Sequence, residues 1–195
     1  MEKSLKLTSN SFNFNLVDID FSSFSSSKKW VGCFEKKSPF AISLIDDSIE
    51  IVRDFFSPHW GGFFALSALS FDDERETDGD ILKEYGGIYD YAKVNNYLKP
   101  LSDDFESYLY GEIPLPATSL SLHFDNNDFM DICRLIMGHG GVLGQVFFMI
   151  NLELKLAIYP HGDIGFGIIS FGEDDTVCKS FLNSLIGNDD FNIIM

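Results

Sequence analysis

Apolar residues in the first half of the chain recur with two different periods, one typical of strands and one typical of helices. Residues 11–24 alternate between apolar and polar side chains, which predicts a half-buried strand, and residues 30–34 predict a second, shorter one. From residue 43 to 56 the apolar positions recur every three or four residues, which predicts a helix. Residues 59–71 are apolar throughout and fit either a buried strand or a buried helix. A further helix is predicted for 80–98, weakened midway by Gly86–Gly87.

The second half gives sharper patterns. Residues 117–124 alternate as a strand does, and residues 129–137 place their apolar side chains at helical spacing before Gly138. Residues 145–171 predict two long apolar strands folded back on each other about the segment Tyr159–Asp163. A last helix is predicted for 174–186, ending at Gly187.

The C-terminal order is therefore β-α-β-β-α, which predicts an α+β fold with helices packed on a largely antiparallel sheet. A chain of 195 residues with 45% apolar residues and 20 Phe can bury one sizeable core. We expect a single α+β domain over 1–195. Pro114 and Pro116 make 111–117 the best candidate for a subdomain break.

The charge is strongly acidic and unevenly distributed. The net charge is −16: residues 1–45 carry six basic and four acidic residues (+2), residues 46–110 five and 15 (−10), and residues 111–195 three and 11 (−8). Such a chain repels nucleic-acid backbones and anionic membranes, so neither is an expected partner. It favours a basic partner protein. The alternative is that the acidic surface only keeps the protein soluble and monomeric.

The cysteines and the apolar runs bear on compartment and cofactors. Cys33, Cys133 and Cys178 are far apart and form no CxxC pair, which predicts buried free thiols and neither a disulfide framework nor a zinc site. The N-terminal residues lack the apolar core of a signal peptide, and no apolar run is long enough to span a membrane. We expect a cytoplasmic protein without a cofactor.

The acidic run of residues 72–80 has a composition that also occurs in calcium-binding loops. If Gly79 is aligned with the loop glycine, the last ligand position falls on Tyr85, where a bidentate carboxylate is needed. The calcium hypothesis fails there. The run is either an ordinary solvated loop or a surface that contacts a partner.

His161 and Asp163 are the strongest catalytic candidates. They lie two residues apart in the predicted turn, where Pro160 and Gly162 are explained by backbone geometry alone. An acid–base pair or a metal site would need further groups, and the chain has no GxSxG motif. We therefore expect a turn and no catalytic residues. A small hydrolase that uses His161 and Asp163 is kept as an alternative.

The hairpin sequence ELKLAIYPHGDIGFGIISF, at residues 153–171, resembles a segment of bacterial immunity proteins from polymorphic toxin and contact-dependent inhibition systems. Several such families have a similar turn between two strands near the C-terminus. The resemblance implies a protein that binds and neutralises a toxin domain made by the same cell. It transfers no binding residue, because these families place their toxin contacts differently.

Under this hypothesis the partner is a cognate toxin or other basic protein, for example a nuclease, held by charge complementarity. Tyr85, Tyr89 or Trp60 would supply aromatic anchors. A scaffold module, in which exposed aromatic residues mediate self-association, remains a further alternative, and the sequence does not set the oligomeric state. The candidate contact residues are Trp60, Asp72, Asp73, Glu74, Glu76, Asp78, Asp80, Glu84, Tyr85, Tyr89, Asp103, Asp104 and Glu106.

Overall fold

One eight-stranded sheet organises the part of the chain that the structure, a computed structural model, describes: residues 27–37, 39, 41–75 and 79–195. The strand order is β3-β2-β5-β6-β7-β1-β8, and β4 pairs with β2 on the same edge as β3. All pairings are antiparallel except that of β2 with β3. The strands are β1 (Trp30–Lys36), β2 (Phe63–Phe71), β3 (Lys99–Pro100), β4 (Ser121–His123), β5 (Val142–Asn151), β6 (Leu156–His161), β7 (Gly165–Ser170) and β8 (Phe191–Ile194).

Five α-helices accompany the sheet in these residues, together with two short 3-10 helices at Ser57–Gly62 and Ala117–Ser119. None of the described helices is long and apolar enough to cross a membrane. The α-helices are α1 (Ile42–Phe56), α2 (Gly79–Val94), α3 (Asp103–Leu109), α4 (Phe129–Met137) and α5 (Thr176–Ser184).

The sheet buries side chains on both faces. Along β5, Phe147 and Met149 join the larger core, which α1, α2, α4 and α5 cover, while Phe148 and Ile150 join a smaller core with Phe105 of α3. A strand buried on both faces is a continuous apolar run. This explains why β2 and β5 show little alternation in the sequence.

The expected α+β class is confirmed, as are the helices predicted at 43–56 and 129–137 and the short strand at 30–34. The ambiguous segment 59–71 forms the end of a 3-10 helix followed by β2. The prediction for residues 11–24 lies outside the described residues.

The predicted two-strand hairpin at 145–171 is corrected to three strands, β5, β6 and β7. A turn at residues 152–155 was missed because it contains neither Gly nor Pro. Asn151 makes it instead: its Oδ1 accepts a hydrogen bond from the Leu154 amide (3.0 Å), and Lys155 adopts a positive φ of 53°. From β4 onward the order is therefore β-α-β-β-β-α-β.

The tip of the hairpin is also corrected, since Tyr159, Pro160 and His161 belong to β6 and the turn is residues 162–164. Pro160 is tolerated in the strand because the pairing of β6 with β5 ends at Ile158. Antiparallel pairing brings the C-terminal ends of β1, β2 and β6 to one end of the sheet. We call it the acidic end, because the acidic loop after β2 and the acidic helix α3 lie there.

Candidate functional site

At the acidic end, Arg75 joins two acidic segments of the chain. Its Nε lies 3.2 Å from Asp72 Oδ2, and its terminal nitrogen also forms an ion pair with Glu106 of α3. The loop after β2 is thereby held against α3, although the two segments are about thirty residues apart in the sequence. Each pair is partly exposed, so each contributes little to stability. What the two ion pairs do is hold the carboxylates of Asp72 and Glu106 close to each other.

Ser102 caps the N-terminus of α3, where its Oγ accepts a hydrogen bond from the Phe105 amide (3.3 Å). Phe105 is buried in the smaller core and fixes the helix on the sheet. Asp103 and Asp104 occupy the first turn, where the helix dipole favours negative charge, and both are exposed. The capped helix thus places two exposed carboxylates, which form no ion pair with a described residue, beside the two ion pairs of Arg75. We call those two ion pairs, with Asp72 and Glu106, the Arg75 bridge.

Asp73 is compensated within the chain. Lys93 Nζ lies 2.7 Å from its Oδ2 and the Tyr89 hydroxyl donates to its Oδ1 at 3.1 Å. The hydrogen bond from Lys93 is the main reason that the pKa of this carboxyl is lowered. Asp73 is therefore less available to a partner than Glu74, which is exposed and forms no ion pair in the described chain.

Two of the three expected aromatic anchors are core residues. Tyr85 and Tyr89 are only 4% and 8% exposed, because α2 packs them against the larger core. Among the described residues, the Tyr85 hydroxyl is the one buried side-chain polar atom without a hydrogen-bond partner. Burial raises the pKa of Tyr89 to about 12, with the Asp73 contact adding to the shift. Neither ring can serve as an exposed anchor.

Trp60, the third, is half-buried at the other end of β2, where its indole donates to the Asn126 carbonyl at 3.3 Å. The eight steps between the nine residues of β2 separate it from the acidic loop by roughly 26 Å, at about 3.3 Å per step. Asp80 and Glu84 are exposed on α2, which packs on the opposite face of the sheet from α3. The predicted contact residues therefore do not form one patch. Glu76 and Asp78 lie outside the described residues.

Tyr110, which sequence reasoning missed, directly follows α3 and is 70% exposed. It lies near Arg75. The only local signal was an aromatic residue between an acidic helix and Gly111–Glu112. We define the acidic surface by the residues that the structure brings together here: Asp72, Glu74, Asp103, Asp104, Glu106 and Tyr110.

A separate cavity of about 400 Å³ opens between β1, β6 and β7 on the face that α3 also occupies. Its lining combines aromatic, thiol, imidazole and carboxylate groups. The lining residues are Trp30, Cys33, Glu35, Tyr159, His161, Asp163 and Ile194.

Two glycines of β7 explain how these side chains meet. Gly167 pairs with Cys33 on one side and Tyr159 on the other, and Gly165 pairs with Glu35 and His161 in the same way. A Cβ on Gly167 would lie 2.1 Å from the Tyr159 ring, which takes the place of the missing side chain. The central strand thus lets side chains of its two neighbours approach one another.

Hydrogen bonds fix the rings in this cavity. Trp30 Nε1 donates to the Tyr159 hydroxyl at 3.0 Å, and His161 Nε2 lies 3.2 Å from the Phe34 carbonyl oxygen on β1. The acceptor is a carbonyl, so Nε2 carries the proton in this arrangement. Burial lowers the pKa of His161, against the opposing effect of Asp163.

The Cys33 thiol is poorly suited to nucleophilic chemistry. Burial, together with the charges of Glu35 and Asp163, raises its pKa to about 11. At neutral pH the reactive thiolate is then roughly one part in 10⁴. Within the described residues, no hydrogen bond joins Cys33 to His161. The same part of the chain also contains no group of three His, Cys, Asp or Glu side chains arranged to hold a metal ion.

The comparisons with known proteins add no assignment. No family model matches this chain, and neither a curated protein nor a solved structure is significantly similar to it.

Proposed function

We propose that this chain is an immunity-type protein that binds and neutralises a basic toxin domain through the acidic surface. The observation that carries the proposal is the Arg75 bridge, which holds Asp72 and Glu106 together and so merges the β2 loop with α3. The resemblance of residues 153–171 to immunity proteins supplies the class of partner. The net charge of −16 supplies the physical preference for a basic one.

The composition of the acidic surface suits such a contact. Effector domains that hold phosphates, such as nucleases, carry clustered basic side chains, and an acidic inhibitor that covers them gains rapid association and orientation. Tyr110 adds what charge alone does not provide. An exposed aromatic ring bordered by carboxylates becomes desolvated on binding, and Tyr is among the residues that carry most of the binding energy in interfaces.

A charge-reversal experiment tests the proposal. The variant Asp103→Lys/Asp104→Lys changes the net charge by +4, from −16 to −12. We expect it to weaken binding to the basic effector domain encoded beside the gene by about a hundredfold or more at low salt, measured by calorimetry. Tyr110→Ala should cost about tenfold or more.

The matched control is Asp47→Lys/Asp54→Lys, which makes the same change in net charge on exposed positions of α1, on the other face of the sheet. Its affinity should stay within a few fold of the original. Equal losses in the two double variants would mean that only net charge matters and would remove the acidic surface from the proposal. Absence of binding by the unchanged protein would remove that partner.

A further inference from the structure

The cavity between β1, β6 and β7 holds negative charge that the described chain does not neutralise. Glu35 and Asp163 both line it, and neither forms an ion pair with a described residue. The amide of Lys36, the residue after Glu35, donates a hydrogen bond to the Asp163 carbonyl at 3.2 Å, so the two acidic residues are neighbours across β1 and the turn. Lys36 influences His161 electrostatically but forms no salt bridge with a described residue. Two neighbouring carboxylates of the same sign repel each other, and a bound cation removes that repulsion.

The walls of the cavity favour a particular kind of cation. Trp30 and Tyr159 contribute aromatic surface, and Ile194 contributes aliphatic surface. Aromatic rings attract diffuse organic cations through their negative faces, and a guanidinium group stacks on them as well. A volume of about 400 Å³ lies within the range of small-molecule sites. The described residues do not offer the close set of ligands that a metal ion requires.

We propose that this cavity binds an organic cation, an alkylammonium or alkylguanidinium group of the size of a lysine or arginine side chain. Glu35 and Asp163 neutralise its charge, and the alkyl stem lies against Trp30 and Ile194. The glycines of β7 make the site possible by letting the side chains of the flanking strands approach one another. This inference does not depend on the proposed function, since its test uses small cations and no protein partner.

Such a cation has two sources, a free amine or a basic side chain of a bound protein. The cavity lies at the acidic end and on the same face as α3. Strand β1 is four positions from β2 in the sheet, which is roughly 19 Å at about 4.8 Å per strand. A standard interface of about 800 Å² per partner can cover that distance. One protein could therefore contact the acidic surface and fill the cavity.

The two tryptophans make a direct test available. The Trp30 indole N–H donates to Tyr159 at the cavity, whereas the Trp60 indole donates to Asn126 beyond the other end of β2. In the ¹⁵N-labelled full chain at low salt, n-butylguanidinium should shift the Trp30 indole signal saturably and leave the Trp60 signal in place. The neutral probe n-butanol should produce no saturable shift.

Glu35→Gln/Asp163→Asn keeps the shape of both side chains and removes their charge, and should weaken n-butylguanidinium binding about tenfold or more. Asp163→Asn alone, at an exposed position, should weaken it by a smaller factor and keeps the test valid if the double variant does not fold. The control Glu153→Gln/Asp189→Asn removes two exposed charges outside the cavity and should bind as the original does. The inference is overturned if the Trp30 signal does not saturate, if n-butanol shifts it equally, or if neutralising the two carboxylates leaves the affinity unchanged.

A second arm identifies the source of the cation. If n-butylguanidinium competes with the basic effector domain, and Glu35→Gln/Asp163→Asn weakens that domain's binding, the cavity receives a side chain of the partner. If the cation binds but the domain's affinity does not respond, the cavity serves a free amine or guanidine. Both results support a cation site. Loss of domain binding in Asp103→Lys/Asp104→Lys with unchanged n-butylguanidinium binding would separate the two proposals.

Discussion

At the scale of single residues, packing rather than sequence context sets the chemistry of the histidines. His59 and His139 are exposed, whereas His161 is held against the Phe34 carbonyl in the cavity. His123, in β4, stacks on Tyr97 with ring centroids 4.1 Å apart, and its Nε2 lies 3.1 Å from the Ser67 hydroxyl. The sequence could not distinguish these environments, because each depends on a strand pairing that joins distant segments.

Burial, assisted by the charge of Lys99, lowers the pKa of His123 to about 4. In the unfolded chain the imidazole titrates near 6.5, so the unfolded state binds more protons between the two values. The contribution of neutral His123 is therefore complete above pH 6.5 and is lost as the pH falls towards 4. With these pKa values, the loss between pH 7.5 and pH 5.0 is about 2 kcal/mol.

His123→Gln keeps a partner for Ser67 and removes the titration. We expect urea unfolding to show a smaller decrease in the free energy of unfolding between pH 7.5 and pH 5.0 in this variant, by about 2 kcal/mol. His59→Gln, at an exposed position, is the control and should follow the original protein. The same pH dependence in all three proteins would mean that His123 is protonated without cost in the folded state.

At the scale of elements, periodicity predicted those helices and strands whose structure is determined by their own residues. Helix α4 was predicted at its observed bounds because its apolar spacing and the following Gly138 agree. The turn at residues 152–155 was missed because it depends on one hydrogen bond, which the Leu154 amide donates to the side chain of Asn151. Helix α5 is shorter than the predicted 174–186: it spans Thr176–Ser184 and buries Cys178, Phe181 and Leu182.

Helix α2 continues through Gly86–Gly87, where the sequence predicted a weak point. A Cβ at either position would meet no atom within 4 Å. Alanine restricts the unfolded chain more than glycine does, at no steric cost here. We expect Gly86→Ala/Gly87→Ala to stabilise the protein by about 1–2 kcal/mol and to raise its Tm by several degrees in calorimetry.

Gly111→Ala is the matched control for that prediction. Its added Cβ would also meet open space, but the residue has a φ of +76°, which alanine adopts only with strain. Alanine should therefore destabilise at residue 111 and stabilise at 86 and 87. A stabilising effect at all three positions would show that backbone conformation does not decide these substitutions.

At the scale of the whole molecule, the sequence indicated acidity but not its arrangement. Asp72 and Asp103 belong to one surface only because β3 lies parallel to β2 and leads α3 back to the end of that strand. The cavity depends in the same way on the order β6-β7-β1, which joins residues more than 120 positions apart. Local patterns contain no information about such an order. This is why Tyr110 and Cys33 gained significance only in the folded chain.

The same distribution of charge predicts opposite effects of salt on folding and on binding. A net charge of −16 destabilises the compact chain by self-repulsion, while the described ion pairs are mostly exposed and individually weak. Raising NaCl from about 20 to 300 mM shortens the screening length from roughly 20 Å to roughly 6 Å. It should therefore raise the Tm of the free protein, while it weakens association with a basic partner.

The variant Asp47→Lys/Asp54→Lys, with a net charge of −12, should show a smaller rise in Tm over the same range of salt, because less repulsion remains to be screened. Scanning calorimetry at several NaCl concentrations measures the effect in both proteins. A Tm that falls with salt would mean that attractive pairs such as Arg75–Glu106 outweigh the repulsion in the folded state. The acidic surface would then be an internal device for stability, and the argument from net charge to a basic partner would lose its physical basis.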